Sequence, residues 1–293
     1  MNLLVSLGVA ILELSTPGAV RTRHDLVYAP GDKGRFDVYA PRRPSPNAPV
    51  AVFIYGGSWQ SGSKAIYRFV GVALASRGIV TVLPDYRVYP EVRYPTFLQD
   101  NARAVAFARR HAAEWGGDPA RLFLIGHSAG AYNAVMLAAD PRWLRAEGLD
   151  AHKDIAGVFG LAGPYDFLPL RDPVLKTIFG PEDQLPDTQP INHVDGAEPP
   201  MRLVAGDRDT TVDPGNSLRM TAAIKAKGGT ASAKLYPGLG HVGLLTTLSG
   251  LFRRRAPVLD DIAGFVHGEA PAEAAPSPAP TAQGRPTPAG APA

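Results

Sequence analysis

The chain has 293 residues, of which 45% are hydrophobic, and its formal net charge is +3 at pH 7. This length and composition suit one large α/β domain with a full core, and so small a charge without an aromatic-plus-basic motif argues against nucleic acid as a partner. Because the sequence has no cysteine, disulfides, thiolate catalysis, cysteine metal sites and lipidation on cysteine are excluded.

The amino-terminal segment, residues 1–20, contains a mostly apolar stretch, Leu3–Leu14, interrupted by Glu13. No basic residue precedes it, as a secretory signal would require, and it is shorter than the roughly 20 residues of a membrane-spanning helix. Two interpretations stay open: a short packing or amphipathic helix, and a degenerate export or anchor segment. Any membrane association is expected through this segment only, and the cellular location is left open.

Strand and helix patterns alternate over residues 21–268, which is typical of βαβ units. An antiparallel hairpin, 24–29 with 35–40, is predicted first. The later strands are rich in Val, Ile, Leu and Phe, which predicts a mostly parallel central sheet of about eight strands flanked by helices. These strands are 50–55, 80–84, 121–126, 156–161, 202–206 and 233–236. The predicted helices are 67–76, 96–113, 129–140, 214–227 and 257–267.

A glycine-containing turn follows the predicted strand 50–55, where residues 56–59 read Gly-Gly-Ser-Trp. Consecutive glycines free backbone N–H groups to point at an oxyanion, which is the role of the second loop of an oxyanion hole. Gly57 and Ser58 are therefore the predicted donors, together with Ala129 from a later turn.

That later turn, residues 126–130, reads Gly-His-Ser-Ala-Gly and lies between an apolar run and a helix-forming run. Gly-x-Ser-x-Gly in this setting predicts a sharp strand-to-helix turn that holds Ser128 in a strained backbone conformation. The alternative is a glycine-rich connection without chemistry. A serine nucleophile needs a histidine base oriented by a carboxylate, and in folds with this turn the carboxylate and then the histidine follow the serine.

The stretch 163–200 interrupts the alternation of strands and helices and is rich in proline. An excursion at this point is expected to lie over the active site as a short lid and pocket wall, leaving an open, shallow site. The candidates for lining the pocket are Tyr165 and Phe167 from the excursion, with Tyr55, Trp59 and His127 from the two glycine-containing turns.

An acidic loop follows the predicted strand 202–206 and offers Asp207, Asp209 and Asp213. The carboxyl end of a parallel strand is the expected position for a functional carboxylate. Asp213 precedes Pro214 and is predicted to cap the next helix. On the residues alone, Asp207 and Asp209 both remain candidates.

The predicted base is His241, in a glycine-rich loop after the strand 233–236, from which it can reach over the sheet edge. His193, in a proline-rich connection, is the competing candidate. His152 is expected to be solvated, and His267 to be structural at the end of the last helix.

Two features near the carboxyl terminus complete the sequence. Residues 253–255 are three consecutive arginines, interpreted as a solvated face. Residues 269–293 are almost entirely Ala, Pro, Gly, Ser and Thr, a composition that cannot bury enough apolar area to offset its ordering entropy. A disordered tail is therefore predicted. No metal or other cofactor is expected, because no suitable pairing of histidines and carboxylates occurs.

From about His24 to His267 the chain resembles the α/β-hydrolase superfamily, in the branch of small bacterial esterases, carboxylesterases and arylformamidases. Several motifs carry the resemblance: Tyr-Gly-Gly-Ser-Trp at 55–59, Asp-Tyr-Arg at 85–87, Tyr-Pro-Glu at 89–91, Gly-Gly-Asp-Pro at 116–119 and Asp-Thr-Thr-Val at 209–212.

The resemblance implies an α/β-hydrolase fold and a catalytic triad of Ser128, Asp209 and His241, with Asp209 preferred to Asp207. Tyr55 departs from the family pattern, in which a histidine at this position pins the oxyanion loop through hydrogen bonds. The tyrosine is therefore expected to affect the rigidity of the loop and the range of substrates, and not the presence of the triad.

The function expected from the sequence is a serine hydrolase that cleaves short-acyl or aryl carboxylic esters through an acyl-enzyme on Ser128, with water as second substrate. An arylformamidase-type amide hydrolase is the first alternative and a peptidase the next. A non-catalytic binding protein with the same fold is the alternative outside enzymes. The sequence predicts neither the identity of the ester nor the oligomeric state.

Overall fold

The computed structural model describes residues 11–12, 14–16 and 20–269, so most of the predicted amino-terminal segment and nearly all of the predicted tail lie outside the described residues. An eight-stranded sheet with the order β1-β2-β4-β3-β5-β6-β7-β8 forms the centre of the described part. Its strands are β1 Val20–Val27, β2 Arg35–Pro41, β3 Ala48–Ile54, β4 Val80–Pro84, β5 Gly117–His127, β6 Gly157–Leu161, β7 Met201–Gly206 and β8 Ala231–Tyr236.

The direction of the strands matches the expectation from the sequence. β2 runs antiparallel to both β1 and β4, whereas all other neighbouring pairs are parallel. The prediction of a mostly parallel sheet of this size with an amino-terminal antiparallel hairpin is therefore confirmed. β5 begins earlier than predicted, at Gly117, because that residue pairs with Ala48 before the register shifts.

Helices cover both faces of the sheet: α1 Arg68–Ala75, α2 Thr96–His111, α3 Ala129–Ala139, α4 Pro141–Arg145, α5 Ala151–Asp154, α6 Pro173–Phe179, α7 Gly215–Ala226, α8 His241–Thr246 and α9 Val258–His267. α1 packs against α9, and α2 packs against α3. The short helices α4, α5, α6 and α8 were not predicted. Short helices carry too few turns to display apolar periodicity.

The central helix α3 approaches the sheet closely because of two glycines. A Cβ atom on Gly130 would lie 2.0 Å from the carbonyl oxygen of Ile54 in β3, and one on Gly126 would lie 2.2 Å from the carbonyl oxygen of Gly130. Side chains at these positions would force α3 away from β3 and β5. The turn between β5 and α3 therefore depends on both glycines.

A buried ion cluster ties the amino-terminal hairpin to the segment after β3. Lys64 Nζ lies 2.6 Å from an oxygen of Asp37 in β2 and 2.8 Å from one of Asp25, while His24 Nδ1 lies 3.0 Å from Asp37. Burial by itself would raise the pKa of Asp37, but hydrogen bonds with Lys64, the Asp25 N–H and His24 outweigh it and lower that pKa.

Replacing Asp37 by alanine is expected to lower the free energy of unfolding by about 3 kcal/mol at pH 7, because buried Lys64 loses one of its two carboxylates. Since the folded-state pKa of Asp37 is lowered, its stabilisation is fully present above the ordinary value of 3.8 and is lost as the pH falls through the folded value. Urea denaturation at pH 7 and at a series of acidic pH values measures this.

The matched control is Asp32→Ala, an exposed carboxylate in the turn between β1 and β2, for which a change within about 0.5 kcal/mol is expected. If Asp37→Ala and Asp32→Ala cost the same, or if the difference between wild type and Asp37→Ala grew on acidification, the stabilising role of the cluster would be wrong.

Candidate active site

Ser128 lies between the last residue of β5 and the first residue of α3, with φ of 57° and ψ of −124°. A positive φ at a residue with a side chain is strained and persists only where the surroundings impose it. Here the Ser128 N–H donates to the carbonyl of Leu161 over 2.8 Å, and the Ser128 carbonyl accepts from Ala131 and Tyr132 in the first turn of α3. The predicted sharp turn is thus present.

Asp209 and His241 form the closest carboxylate–imidazole pair of this region, with 2.7 Å between Oδ2 and Nδ1. The other oxygen, Oδ1, accepts from the backbone N–H groups of Thr211 and Val212, each over 2.9 Å. The Asp209 side chain is fully buried. A carboxylate held in this way orients the ring and makes Nδ1 the donor nitrogen, which leaves Nε2 as the acceptor of the neutral imidazole.

The two other acidic candidates have different partners. Asp207 Oδ1 accepts from the Gly238 N–H over 2.7 Å, which joins the loops after β7 and β8. Asp213 accepts from the Gly215 N–H over 2.9 Å and pairs with Arg219 over 3.1 Å. The predicted cap is only partly correct: α7 begins at Gly215 and its N-cap is Pro214, so Asp213 lies one residue before the cap position and accepts from the first N–H of the helix.

The other histidines are bonded elsewhere. His193 Nε2 donates to the carbonyl of Asp187 over 2.7 Å, and His267 Nε2 to that of Arg77 over 2.9 Å. His152 lies on the short helix α5. His241, predicted in a loop, is the first residue of α8, and Gly240 before it is the N-cap.

The turn after β3 has an unusual backbone. Gly57, Ser58 and Trp59 have φ angles of 134°, 52° and 56°, three consecutive residues in the left-handed region. A Cβ on Gly57 would lie 2.1 Å from the carbonyl oxygen of Ser61. Within residues 20–269, the N–H groups of Gly57 and Ser58 donate to no protein acceptor. Ala129, as the first residue of α3, also has an N–H without an intrahelical partner.

Tyr55 lies behind this turn, and its hydroxyl donates to Asp85 Oδ1 over 3.0 Å. Its ring stacks on those of Tyr86 and Tyr67, with centres 4.6 and 5.6 Å apart. Tyr67 in turn accepts from the Gly56 N–H over 3.3 Å. Burial raises the pKa of Tyr55 far above its ordinary value, so the hydroxyl stays a donor. The tyrosine thus makes a hydrogen bond at the position where the resembling family uses a histidine.

His127, beside the serine, is buried under His241. The two ring centres lie 4.8 Å apart, and His127 Nε2 lies 3.3 Å from the carbonyl oxygen of His241. Burial, together with the neighbouring His241, lowers the pKa of His127 to about 3. His127 is therefore neutral at physiological pH and places no second charge beside His241.

A cavity of about 420 Å³ opens at Ser128. Trp59 and Phe167 lie on its wall with their rings stacked, centres 6.0 Å apart. The wall also includes both turns, the excursion and the loop before α7. Its remaining residues are Ser58, Ala129, Pro164, Asp166, Leu168, Pro169, Leu170, Arg171, Leu175, Thr211, Val212, Asp213, Asn216 and Arg219.

Three predicted pocket residues are not on this wall, which corrects the prediction. Tyr55 is turned to Asp85 behind residues 56–59, called the oxyanion turn below after the role predicted for it, and His127 lies beneath His241. The Tyr165 ring is fully buried and packs over two glycines, so that a Cβ at Gly160 would lie 2.1 Å from its hydroxyl. Tyr165 therefore packs the excursion against the sheet, and its side chain is not exposed to this cavity.

Side chains of α7 and of the excursion fix residues 163–200 over the site. Asn216 Oδ1 accepts from the N–H groups of Tyr165 and Asp166, each over 2.8 Å. Gln189 Oε1 accepts from the Phe167 N–H over 2.9 Å. These anchors were missed, because a lone Asn or Gln carries no signal of a backbone partner 50 residues away. A structural role for Asp85 could have been sought from the sequence, because the Asp-Tyr-Arg motif at 85–87 is one of the motifs that carry the family resemblance.

No group of three or more His, Asp or Glu side chains among the described residues is placed to hold a metal ion. Those residues also include no helix that is long and apolar enough to cross a membrane.

Comparison with known proteins places this geometry in a family. The BD-FAE family model matches residues 36–224. The chain is 29% identical over 270 residues to the isoprenylcysteine alpha-carbonyl methylesterase ICME of Arabidopsis thaliana, covering 85% of this chain and 63% of that protein. It is 30% identical over 153 residues to the kynurenine formamidase of Salmo salar, covering 52% of this chain and 49% of the relative. The chain thus spans less than two thirds of these relatives.

Among solved structures, the hyperthermophilic esterase from the archaeon Pyrobaculum calidifontis superposes with a TM-score of 0.74 at 21% identity, covering 90% of this chain and 91% of that one. At this identity the likeness concerns the fold, and it confirms the predicted α/β-hydrolase fold. The family match covers more than half of the chain. The chain therefore belongs to the BD-FAE family, in the esterase branch of the α/β-hydrolase superfamily.

Proposed function

We propose that the protein is a serine hydrolase that cleaves short-acyl or aryl carboxylic esters through an acyl-enzyme on Ser128. The observation that carries the proposal is the buried Asp209–His241 pair, 2.7 Å between Oδ2 and Nδ1. His241 contacts His127, the residue directly before the strained serine. A nucleophile, a base and an orienting carboxylate are the three parts that acyl transfer needs.

In the proposed reaction, each step of acylation and deacylation is assisted by a residue of this site. His241 Nε2 removes the proton from Ser128 Oγ as that oxygen attacks the ester carbonyl, and Asp209 stabilises the imidazolium. The N–H groups of Gly57, Ser58 and Ala129 stabilise the negative oxygen of the tetrahedral intermediate. The intermediate collapses when the ester C–O bond breaks and His241 returns the proton to the leaving alcohol. Water, deprotonated by His241, then attacks the acyl-enzyme and releases the acid and Ser128.

The cavity supports the proposed substrate class. Its volume of about 420 Å³ lies at the small end of the range of ligand pockets, and aromatic and aliphatic side chains form much of its wall. Trp59 and Phe167 offer stacked rings against which a short acyl or aryl group can pack. Residues of the excursion form about half of this wall, and the small volume suits short esters better than long-chain ones.

A formyl-amide hydrolase is the second candidate, and the similarity to a kynurenine formamidase favours it. The same triad and the same oxyanion donors would serve, because both reactions pass through a tetrahedral intermediate at a carbonyl carbon. The two candidates differ in the leaving group, which is an alcohol or an amine, and in the acyl group, which is formyl in the second.

Hydrolysis of p-nitrophenyl esters from acetate to laurate, together with N-formylkynurenine, tests the proposal directly. We expect serine-dependent turnover that is highest on short esters and is reduced by at least about 10⁴-fold in Ser128→Ala, since no other group can form the acyl-enzyme. A fluorophosphonate probe should label the wild type and leave Ser128→Ala unlabelled. Preference for the formyl amide would select the second candidate, and the absence of both turnover and labelling would favour a binding protein.

Replacing Asp209 by asparagine is expected to lower kcat by about 10³- to 10⁴-fold with little change in KM, because the amide no longer orients and stabilises the imidazolium. Asp207→Asn is the matched control, since Asp207 follows the same strand but bonds to Gly238. Steady-state kinetics on p-nitrophenyl acetate compare the two. Equal effects in the two variants would remove Asp209 from the triad.

Tyr55→Phe removes the hydrogen bond to Asp85 while keeping the ring stack, so we expect a fall of about 2 kcal/mol in the free energy of unfolding and a several-fold fall in kcat. Tyr39→Phe is the control, because Tyr39 is also buried and bonds to an aspartate, Asp37, over 3.3 Å but lies away from the turn. Tyr39→Phe should lose stability and keep its kcat. If both variants kept kcat, Tyr55 would not position the oxyanion turn.

A further inference from the structure

Three large apolar side chains near the amino terminus and after α8 are exposed to solvent. The exposed fractions are 46% for Ile11, 88% for Leu14 and 54% for Leu251. The two segments are in contact, because Thr16 Oγ1 accepts from the Gly250 N–H over 3.3 Å. Leu14 and Leu251 each lie within two residues of that bond, so they belong to one surface.

The amino-terminal part of this surface is attached to the domain. The Ser15 N–H donates to the Ile11 carbonyl and Thr16 Oγ1 to that of Leu12, each within 3.0 Å, which forms a helical turn. Leu12 packs against the hydrophobic core, whereas Ile11 and Leu14 face outward. The turn is therefore amphipathic, with Leu12 against the core and with Ile11 and Leu14 left exposed by the part of the chain that the structure describes.

A run of arginines follows Leu251 closely in the sequence and adds positive charge to this surface. Arg253–Arg255 form a 3₁₀ helix immediately after Leu251 and Phe252. Arg254 and Arg255 are exposed, and neither forms an ion pair with another described residue. The surface made of Ile11, Leu14, Leu251, Arg254 and Arg255 is called the Leu14–Arg255 patch below.

The combination indicates the chemistry of the partner. Exposed leucines rimmed by unpaired arginines are typical of proteins that lie on a membrane, with apolar side chains at the boundary of the acyl chains and cations among anionic headgroups. The sequence before the patch, residues 3–10, is also mostly apolar.

We propose that the Leu14–Arg255 patch binds the surface of an anionic lipid bilayer. The contact extends the membrane association expected from residues 1–20, because the fold adds Leu251 and the arginines, which the sequence suggested were only a solvated face. The patch is connected to the candidate site through one short helix, since α8 begins at His241 and ends four residues before Gly250. Binding at this place would bring amphiphilic esters of the bilayer close to the catalytic groups.

The test is co-sedimentation of the full chain with two kinds of vesicle, at low and at high salt. One kind contains phosphatidylcholine alone, and the other contains phosphatidylcholine with about 30% of the anionic lipid phosphatidylglycerol. We expect binding to the anionic vesicles that weakens with salt. The double variants Leu14→Ser/Leu251→Ser and Arg254→Gln/Arg255→Gln should each lower the partition coefficient by about tenfold or more. Leu218→Ser/Arg145→Gln is the control, because both residues are exposed outside the patch.

Circular dichroism and urea denaturation establish that each variant folds. Wild-type protein that does not sediment with anionic vesicles, or patch variants that bind like the control, would overturn the proposal. So would a self-associated wild type, seen by light scattering, that the patch variants convert to monomer, because the patch would then bind a second copy. The inference does not depend on the proposed hydrolase activity, since Ser128→Ala should bind vesicles as the wild type does.

Discussion

The strained turn at Ser128 is the constraint on which the rest of the site depends. A positive φ at this residue is possible because Gly126 and Gly130 let β5, β3 and α3 meet without side chains between them. The hydrogen bond from Ser128 to Leu161 adds the neighbouring strand β6 to the same junction. Three strands and the central helix thus share the energetic cost of one unfavourable conformation, which places a hydroxyl at the edge of the sheet.

The oxyanion turn is stabilised in a different way, by a carboxylate and a stack of aromatic rings that pack against it. Asp85 accepts from both the Tyr55 hydroxyl and the Lys64 N–H, so one carboxylate joins the residue directly after β3 to the 3₁₀ helix Lys64–Tyr67 that follows the turn. The aromatic stack of Tyr67, Tyr55 and Tyr86 fills the space between them. Left-handed residues in the turn are therefore held at both ends, and their N–H groups stay available in the absence of a ligand.

The sequence was most informative where function requires a particular local geometry. The Gly-x-Ser-x-Gly motif, the strand ends and the order of acid and base predicted the residues that the fold brings to one edge. Asp209 needed the family resemblance as well, because Asp207 and Asp209 differ in their partners and not in their local pattern. The strands and the hairpin also followed from apolar runs and turn residues, whereas the order of the strands in the sheet was not predicted.

Long-range side-chain contacts could not be predicted from the pattern. Tyr165 was expected in the pocket because it is aromatic and lies in the excursion, yet the glycines at 160 and 163 give its ring a place against the sheet. The role of Asn216 depends on two N–H groups that only the folded chain brings near it. Such contacts arise from packing among elements that are far apart in sequence.

The ion cluster around Lys64 has a consequence for the smallest unit that can be active. The family match begins at residue 36, whereas Asp25, which pairs with Lys64, and His24, which pairs with Asp37, lie before it. Lys64 is also the residue whose N–H bonds to Asp85 beneath the oxyanion turn. The first strand of the hairpin, at the edge of the sheet, is thus linked through Lys64 to the turn that carries the candidate oxyanion donors. A version of the protein trimmed to residues 36–224 would contain a buried lysine with only one of its two carboxylates.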